Sequence, residues 1–256
     1  MSALISTVRD LHRRKARERR ALALAEGIRL IEEALEAGIE IQGVLAGPAL
    51  DATPRGQALR AGLTAAAVPI EAVTDDELVE LADTEHPQGI VAVISPKAWT
   101  TSDIRVAPAH PVLVLDGVQD PGNVGTIART GSAFGAAGLV ALSGTADLLN
   151  PKTLRGSMGA LFRLPAVHLS DAEFLAWSRR AGVALWATDA GGEDIRRVAP
   201  PAALVALVLG NEGAGVRPEL RAASARRVAI PIAAGTESLN VAVAAGILLH
   251  EVTRGR

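Results

Sequence analysis

Two uninterrupted aliphatic runs, Val112–Leu115 (VLVL) and Ala203–Leu209 (ALVALVL), set the strongest limit on what this chain can fold into. Neither alternates apolar with polar residues, so each reads as a strand buried on both faces, as in a parallel sheet covered by helices. The segments around them alternate in type. Asn123–Phe134 reads as a helix begun by Asn123 as N-cap, Gly138–Leu142 as a strand and Lys152–Ser157 as a short helix. Ala166–Leu169 and Val183–Thr188 read as strands around a helix, Asp171–Arg180, capped by Asp171. Pro218–Ala223 reads as a helix, Arg227–Ile232 as the last strand and Asn240–Thr253 as the closing helix. The expected fold class is α/β, with an open, largely parallel sheet whose ligands gather at the carboxyl ends of its strands.

A smaller α/β unit comes first. Gly27–Gly38, Gly56–Leu63 and Asp75–Ala82 have helical patterns, while Ile41–Leu45, Val68–Val73 and Gly89–Ile94 read as strands. Ser95–Pro111 carries Pro96, Pro108 and Pro111 among Ser and Thr and reads as a linker. The expected domains are therefore 1–96, a linker over 97–110, and 111–256.

The formal net charge of −2 rules out a uniformly basic coat for nucleic acid, but it is an average. Residues 1–106 sum to −4 and residues 107–256 to +2. Arg9, Arg13, Arg14, Lys15, Arg17, Arg19 and Arg20 crowd one segment, and on a single helix Arg9, Arg13, Arg17 and Arg20 share a face that a polyanion would relieve. Positive charge is 23 Arg to 3 Lys, which favours planar, bidentate phosphate contacts, although genome composition gives the same bias. With no Cys there is no disulfide, thiolate metal site or cysteine nucleophile. His12, His86, His110, His168 and His250 are scattered without a His-x-x-x-His pair, so no metal is expected. No apolar run is long enough for a membrane span and no secretory core opens the chain. A soluble, cytoplasmic protein is expected.

Three strand-end segments carry the chemistry. In Asp116–Arg129 (DGVQDPGNVGTIAR) a strand empties into a Gly/Pro turn and a helix, with Arg129 one to two turns along it. Its glycines do not fit the dinucleotide spacing, and there is no Gly-Lys-Ser/Thr phosphate loop in the chain. In Leu207–Val216 (LVLGNEGAGV) Gly210, Gly213 and Gly215 surround a lone Glu212 in an otherwise apolar mouth. In Ile230–Asn240 (IPIAAGTESLN) Ser238 and Asn240 precede a helix whose Ala242, Ala244, Ala245 and Gly246 permit a very close helix contact, within the chain or at a dimer seam.

The ordered set Asn123…Arg129, Leu209-Gly210-Asn211-Glu212-Gly213 and Ile230-Pro231…Ser238-Leu239-Asn240-Val241 resembles the SpoU (TrmH-like) branch of the SPOUT RNA 2′-O-ribose methyltransferases. The resemblance covers residues 108–256. Arg14–Arg20, Glu26-Gly27 and Gln88-Gly89-Ile90 further resemble that family's ribosomal-protein-like RNA-binding domain. The resemblance implies a C-terminal trefoil knot, a homodimer whose sites are completed by the partner chain, and S-adenosylmethionine as methyl donor without a metal. By motif position it implies Asn123, Arg129, Glu212, Ser238 and Asn240 as the catalytic set. It implies Leu209, Gly210, Ile230, Ser238 and Leu239 around the donor, and Arg13, Arg14, Arg17, Arg20, Arg129 and Arg155 toward RNA. Ala242 departs from the Ser of many relatives.

The implied reaction is methylation of a ribose 2′-hydroxyl in structured RNA. The two-domain layout resembles the ribosomal-RNA members, housekeeping or antibiotic-resistance, more than the tRNA members. Arg129 suits a 3′-side phosphate and a developing alkoxide better than the role of base, because a guanidinium does not give up its proton. The proton then goes to the phosphate, Glu212 or water. Two other readings stay open: a non-catalytic RNA-binding or ribosome-assembly protein, and a tRNA 2′-O-methyltransferase. Donor binding separates the first from the enzyme.

Overall fold

The computed structural model describes residues 2–254. The chain divides into two compact units, Met1–Ala98 with Leu149–Arg163, and Trp99–Leu148 with Leu164–Arg256.

The first unit is built on a four-stranded sheet of β1 (Ala23–Glu26), β2 (Glu40–Ala46), β3 (Ile70–Ala72) and β4 (Ile90–Ser95) in the order β1-β4-β2-β3. Strand β4 runs antiparallel to β1 and β2, while β2 and β3 are parallel. Helices α1 (Ala3–Leu11), α2 (Arg14–Arg20), α3 (Ile28–Glu36), α4 (Pro54–Ala65) and α5 (Asp75–Leu81) accompany it. Val8 and Leu11 of α1 join Leu45, Leu78 and Val93 in one core. Strand β1 was not expected: Ala-Leu-Ala-Glu is short and lacks a β pattern, and its partner in β4 lies far along the chain.

The basic segment is not one helix. Arg13 is extended (φ −87°, ψ 129°) and caps a new helix, so α1 and α2 meet at a corner and the expected single arginine face does not exist. The cause is tertiary. Arg17, 2% exposed, turns back and donates to the carbonyls of Leu11 and His12, both at 2.8 Å, closing the end of α1. Asp10 then gathers Arg13, Arg19 at 2.9 Å and Arg20 at 2.9 Å. The bonds from Arg13 and then Arg20 hold its carboxyl below the usual carboxylate range.

In chain order the second unit supplies β5 (Val112–Asp116), α6 (Pro121–Ala133) and β6 (Gly138–Ala141). The chain then contributes α7 (Pro151–Ser157) to the first unit before returning with β7 (Ala166–His168) and α8 (Asp171–Arg180). Strands β8 (Ala184–Asp194) and β9 (Val205–Gly210), α9 (Pro218–Ala223), β10 (Arg226–Ala229) and α10 (Val241–Thr253) follow. The six strands form a sheet in the order β10-β8-β9-β5-β6-β7, all parallel. The two aliphatic runs are adjacent in it, Leu113 opposite Leu207 and Leu115 opposite Leu209; Val112–Leu115 and Val205–Leu209 are buried, while Ala203 is exposed and Leu204 half-buried ahead of the strand.

Several boundaries differ from expectation: β3 is shorter than Val68–Val73, β9 begins at Val205 instead of Ala203 and β10 ends at Ala229 instead of Ile232, while two helix starts have a clear local cause. Helix α6 starts at Pro121 because Asp120 accepts from the Gly122 amide at 2.6 Å, which makes Asn123 a first-turn residue rather than the cap. Ser170, not Asp171, caps α8 through a reciprocal capping box with Glu173. Strand β8 continues past Thr188 to Asp194, with its register against β10 shifting between Arg227 and Val228.

In the first unit, α7 places Arg155 against Glu26, which is 5% exposed, at 3.3 Å and against Asp83 at 2.7 Å. Arg163 bonds Glu33 at 2.7 Å.

Candidate active site

The adjacent strands β5 and β9 end level with one another, Asp116 opposite Gly210, and the loops that follow them are fastened together. Gly117 takes a left-handed conformation (φ 73°), which glycine adopts without a Cβ clash, and turns the chain off β5. Asn211 donates to the Gly117 carbonyl at 2.8 Å, while its own carbonyl oxygen accepts from the amides of Gly213 and Ala214, each at 3.0 Å. One side chain thus shapes the β9 loop and ties it to the β5 loop. Gly210 is needed for close approach: a Cβ there would lie 2.2 Å from Gly215 C and Val216 N.

The far end of the β9 loop is anchored by charge. Asp116, 1% exposed, accepts from the Arg217 backbone amide at 2.7 Å and from its Nε at 2.5 Å. The same guanidinium reaches Asp171 at 2.6 and 2.9 Å. Two carboxylates on one arginine satisfy the buried Asp116 charge, which would otherwise carry a heavy desolvation cost. Sequence reading missed Asn211 as a tie and the whole Asp116–Arg217–Asp171 cluster, since separations of 101 and 46 residues leave no local signal.

Glu212 projects from this loop to α6. Its carboxylate accepts from Asn123 Nδ2 at 3.0 Å and from the amides of Gln119 and Asp120 at 3.3 and 3.4 Å. Burial pushes the carboxyl up, but the bonds from Asn123 and from backbone amides outweigh it, leaving it below its ordinary value. Asn123 Oδ1 in turn accepts from Asn240 Nδ2 at 3.0 Å. Asn240 caps α10, its Oδ1 accepting from the amides of Ala242 at 2.9 Å and Val243 at 3.3 Å. Three residues from three segments form one hydrogen-bonded line. Helix α10 lies along α6, where a Cβ on Gly246 would sit 3.7 Å from the Thr130 methyl group, so the small-residue stripe serves packing within the chain.

Beside this line opens a cavity of about 400 Å³. Leu209, Gly210, Ile230, Ser238 and Leu239 all line it, with Glu212 at the edge of the same cavity. The β8 extension adds Thr188, Asp189 and Ala190, which sequence reading had not placed there. Its charged lining is Asp189, Glu212 and Glu237 against Arg221, an acidic balance. Leu209, Val228 and Leu248 give it an apolar wall. Arg129 is exposed on α6, and its side chain bonds to none of the other described residues. Ser238 is exposed in the loop before α10. Among the described residues no cluster of His, Asp or Glu is placed to hold a metal, and no helix is long and apolar enough to cross a membrane.

The basic residues expected to face RNA are placed differently from one another. Arg17 is turned inward, and Arg13 and Arg20 bind Asp10. Arg14 pairs with Glu18 at 2.7 Å on the surface, and Arg155 is held by Glu26 and Asp83.

Strand ends that carry a pocket, with fastened glycine loops around a carboxylate, define an α/β protein whose ligand site is built by its βα loops. The chain belongs to the SpoU rRNA Methylase family, whose profile matches residues 110–250, and residues 3–92 match the MRM3-like substrate binding domain. It is 34% identical over 244 residues to the 23S rRNA (guanosine(2553)-2′-O)-methyltransferase RlmP of Bacillus subtilis, covering 95% of this chain and 93% of that protein. It is 36% identical to the 23S rRNA (uridine(2479)-2′-O)-methyltransferase of Streptomyces viridochromogenes, over 72% of this chain and 67% of that one. The crystal structure of the SpoU methyltransferase AviRb from S. viridochromogenes in complex with AdoMet superposes with a TM-score of 0.89 at 31% identity, covering 99% and 98% of the two chains. An AdoMet-bound rRNA methyltransferase from Sinorhizobium meliloti superposes with a TM-score of 0.87 at 31% identity, covering 99% of this chain and 95% of that one.

Proposed function

We propose that this protein transfers a methyl group from S-adenosylmethionine to a ribose 2′-hydroxyl in ribosomal RNA. The observation that carries the reading is the hydrogen-bonded line Asn240–Asn123–Glu212 beside an acidic, apolar-walled cavity, with an exposed arginine, unpartnered among the described residues, on the same helix as Asn123. The cavity fits the donor in size and chemistry: an apolar wall suits an adenine ring, and three carboxylates against one arginine suit a sulfonium cation. Leu209, Gly210, Ile230, Ser238 and Leu239 would hold it. When bound, S-adenosylmethionine supplies an activated methyl, whose bond to sulfur breaks, the electron pair returning to sulfur, as the ribose oxygen bonds the carbon.

The protein mainly orients the reactants, an effect that can reach about 7–11 kcal/mol. Arg129 holds the 3′-side phosphate and stabilises the alkoxide that develops as the 2′-hydroxyl loses its proton. Asn123 and Ser238 position the ribose. In this reading residues 1–96 together with α7 form the RNA-binding domain, residues 97–110 the linker and the rest of residues 111–256 the methyltransferase domain. Arg14, whose partner Glu18 is itself exposed, faces RNA in this reading, with Arg13, Arg20 and Arg155 reaching it from their carboxylate partners. A knotted C-terminal helix, a homodimer and a cytoplasmic location belong to the same proposal. Val243 at 53% exposure, with Ile247, Leu239 and Ile232, supports pairing through the face that carries α10.

The test is methylation of ribosomal RNA with labelled donor, mapped by primer extension at low nucleotide concentration. A stop at one ribose is expected. Label on a base, or on tRNA alone, overturns the assignment, and RNA binding without donor affinity in calorimetry makes the protein a non-catalytic binder.

A further inference from the structure

The line through Asn240, Asn123 and Glu212 has a direction. Asn240 Oδ1 is committed as an acceptor to the first amides of α10, at 2.9 and 3.3 Å, so its amide group is fixed and Nδ2 is the atom that faces Asn123. Asn123 must then accept with Oδ1, which leaves its Nδ2 to donate to Glu212. Glu212 receives that donor and two further backbone N–H groups, from Gln119 and Asp120, so three donors and no acceptor converge on its carboxylate. A carboxylic acid there would add an O–H that none of these three partners can accept. Each amide can be satisfied in one orientation only, and the orientation is set at a helix terminus well removed in sequence from Glu212.

We infer that Asn240 is a positioning residue whose fixed amide, relayed through Asn123, keeps Glu212 an acceptor-only carboxylate that orients the site and does not take the ribose proton. The inference rests on the methyltransferase reading and narrows it, since the proton then leaves to the phosphate or to water. The depressed titration of Glu212 agrees with it, because a carboxyl held this way is a weaker base than a free one. The charged groups around Glu212 do not substitute for the relay. Asp120 on α6 has its carboxylate turned to the Gly122 amide, and Asp189, Arg221 and Glu237 line the cavity without an ion pair to Glu212.

The relay can be reversed by swapping atoms of equal size. In Asn240→Asp the cap oxygen survives, and a carboxylate near a helix N-terminus is favoured there. Its second oxygen, however, faces Asn123 Oδ1, and the repulsion is relieved only if Asn123 flips and presents Oδ1 to Glu212. Glu212 then needs a proton. Methyl transfer by Asn240→Asp is expected to fall about tenfold at neutral pH, the size of one charge-assisted hydrogen bond, with its acidic limb displaced upward by about one pH unit. Adding Glu212→Gln supplies an N–H for the flipped Asn123. The double variant is expected to exceed Asn240→Asp alone in donor affinity by calorimetry and in melting temperature, and to lose the displaced acidic limb.

Strictly additive effects of the two substitutions, or an Asn240→Asp limb that coincides with wild type, overturn the relay. An Asn240→Asp protein too unstable to assay while Asn240→Ala is sound also overturns it, because the cap oxygen is then not what Asp preserves. Failure of the methyltransferase reading looks different: the wild-type protein itself transfers no methyl group.

Discussion

Between Arg9 and Arg20 the arginines are answered within the chain: Arg13, Arg19 and Arg20 converge on Asp10, and Arg17 closes α1. On α6, Arg129 stands exposed with no partner among the described residues. The dense cluster drew attention in the sequence, yet much of its charge is used to join two short helices. Arg105, Arg179 and Arg180 are exposed in the same way, so what distinguishes Arg129 is its place on the helix that carries Asn123. Density of charge is therefore a poor guide, and position beside the hydrogen-bonded line a better one.

The widest separation of the two regions comes from Arg129→Ala. Methyl transfer should fall about 10²–10³-fold, as for loss of one donor to a developing oxyanion, while the melting temperature stays near wild type. Arg129→Lys refines this: near-normal turnover would show that charge suffices and the planar fork is unnecessary. Gly210→Ala comes next. Its Cβ cannot fit 2.2 Å from the Gly215 and Val216 backbone, so the loop must shift, with donor affinity in calorimetry reduced about 10–100-fold. In the first unit the readout changes from activity to folding. Arg17→Met should lower unfolding free energy in denaturant by about 1–3 kcal/mol by stripping two carbonyls of a charged donor, with turnover per folded molecule retained.

Asp10→Asn tests the same cluster by pH. Its folded carboxyl titrates below its unfolded value, so the stability it adds is present above the unfolded pKa and is lost as pH falls through the folded one. The variant should be less stable at neutral pH and show a flatter acid limb in thermal melts. Arg14→Ala is the smallest step: its pair with Glu18 is exposed and four residues apart, so stability should move by no more than about 0.5 kcal/mol. If Arg14→Ala instead matched Arg17→Met in denaturant, the distinction between surface and closing arginines would collapse.

What could be read from the sequence follows the range of the forces involved. Val112–Leu115 and the Val205–Leu209 part of the second run declare buried strands because burial on two faces acts on every residue there. Gly210, Glu212 and Asn240 were placed by motif and are gathered at one cavity and one hydrogen-bonded line. The corner at Arg13 was hidden, since neither Gly nor Pro marks it and its cause is a tertiary bond from Arg17. Asn123 looked like a cap, but Asp120 followed by Pro121 begins the helix earlier. Asp116, Arg217 and Asp171 meet only once the sheet is assembled, so no window along the chain contains them.

The interleaving of the units has a consequence for synthesis. Glu26 is buried and meets Arg155 only after residues of the second unit have emerged, because α7 comes from the stretch Leu149–Arg163. A nascent chain paused after Ala98 presents a first unit that is missing one of its helices. Likewise, β5 cannot find β9 until some ninety further residues have left the ribosome. Neither unit is finished in one stretch of translation: the first waits on the segment Leu149–Arg163, and the second on the last third of the chain.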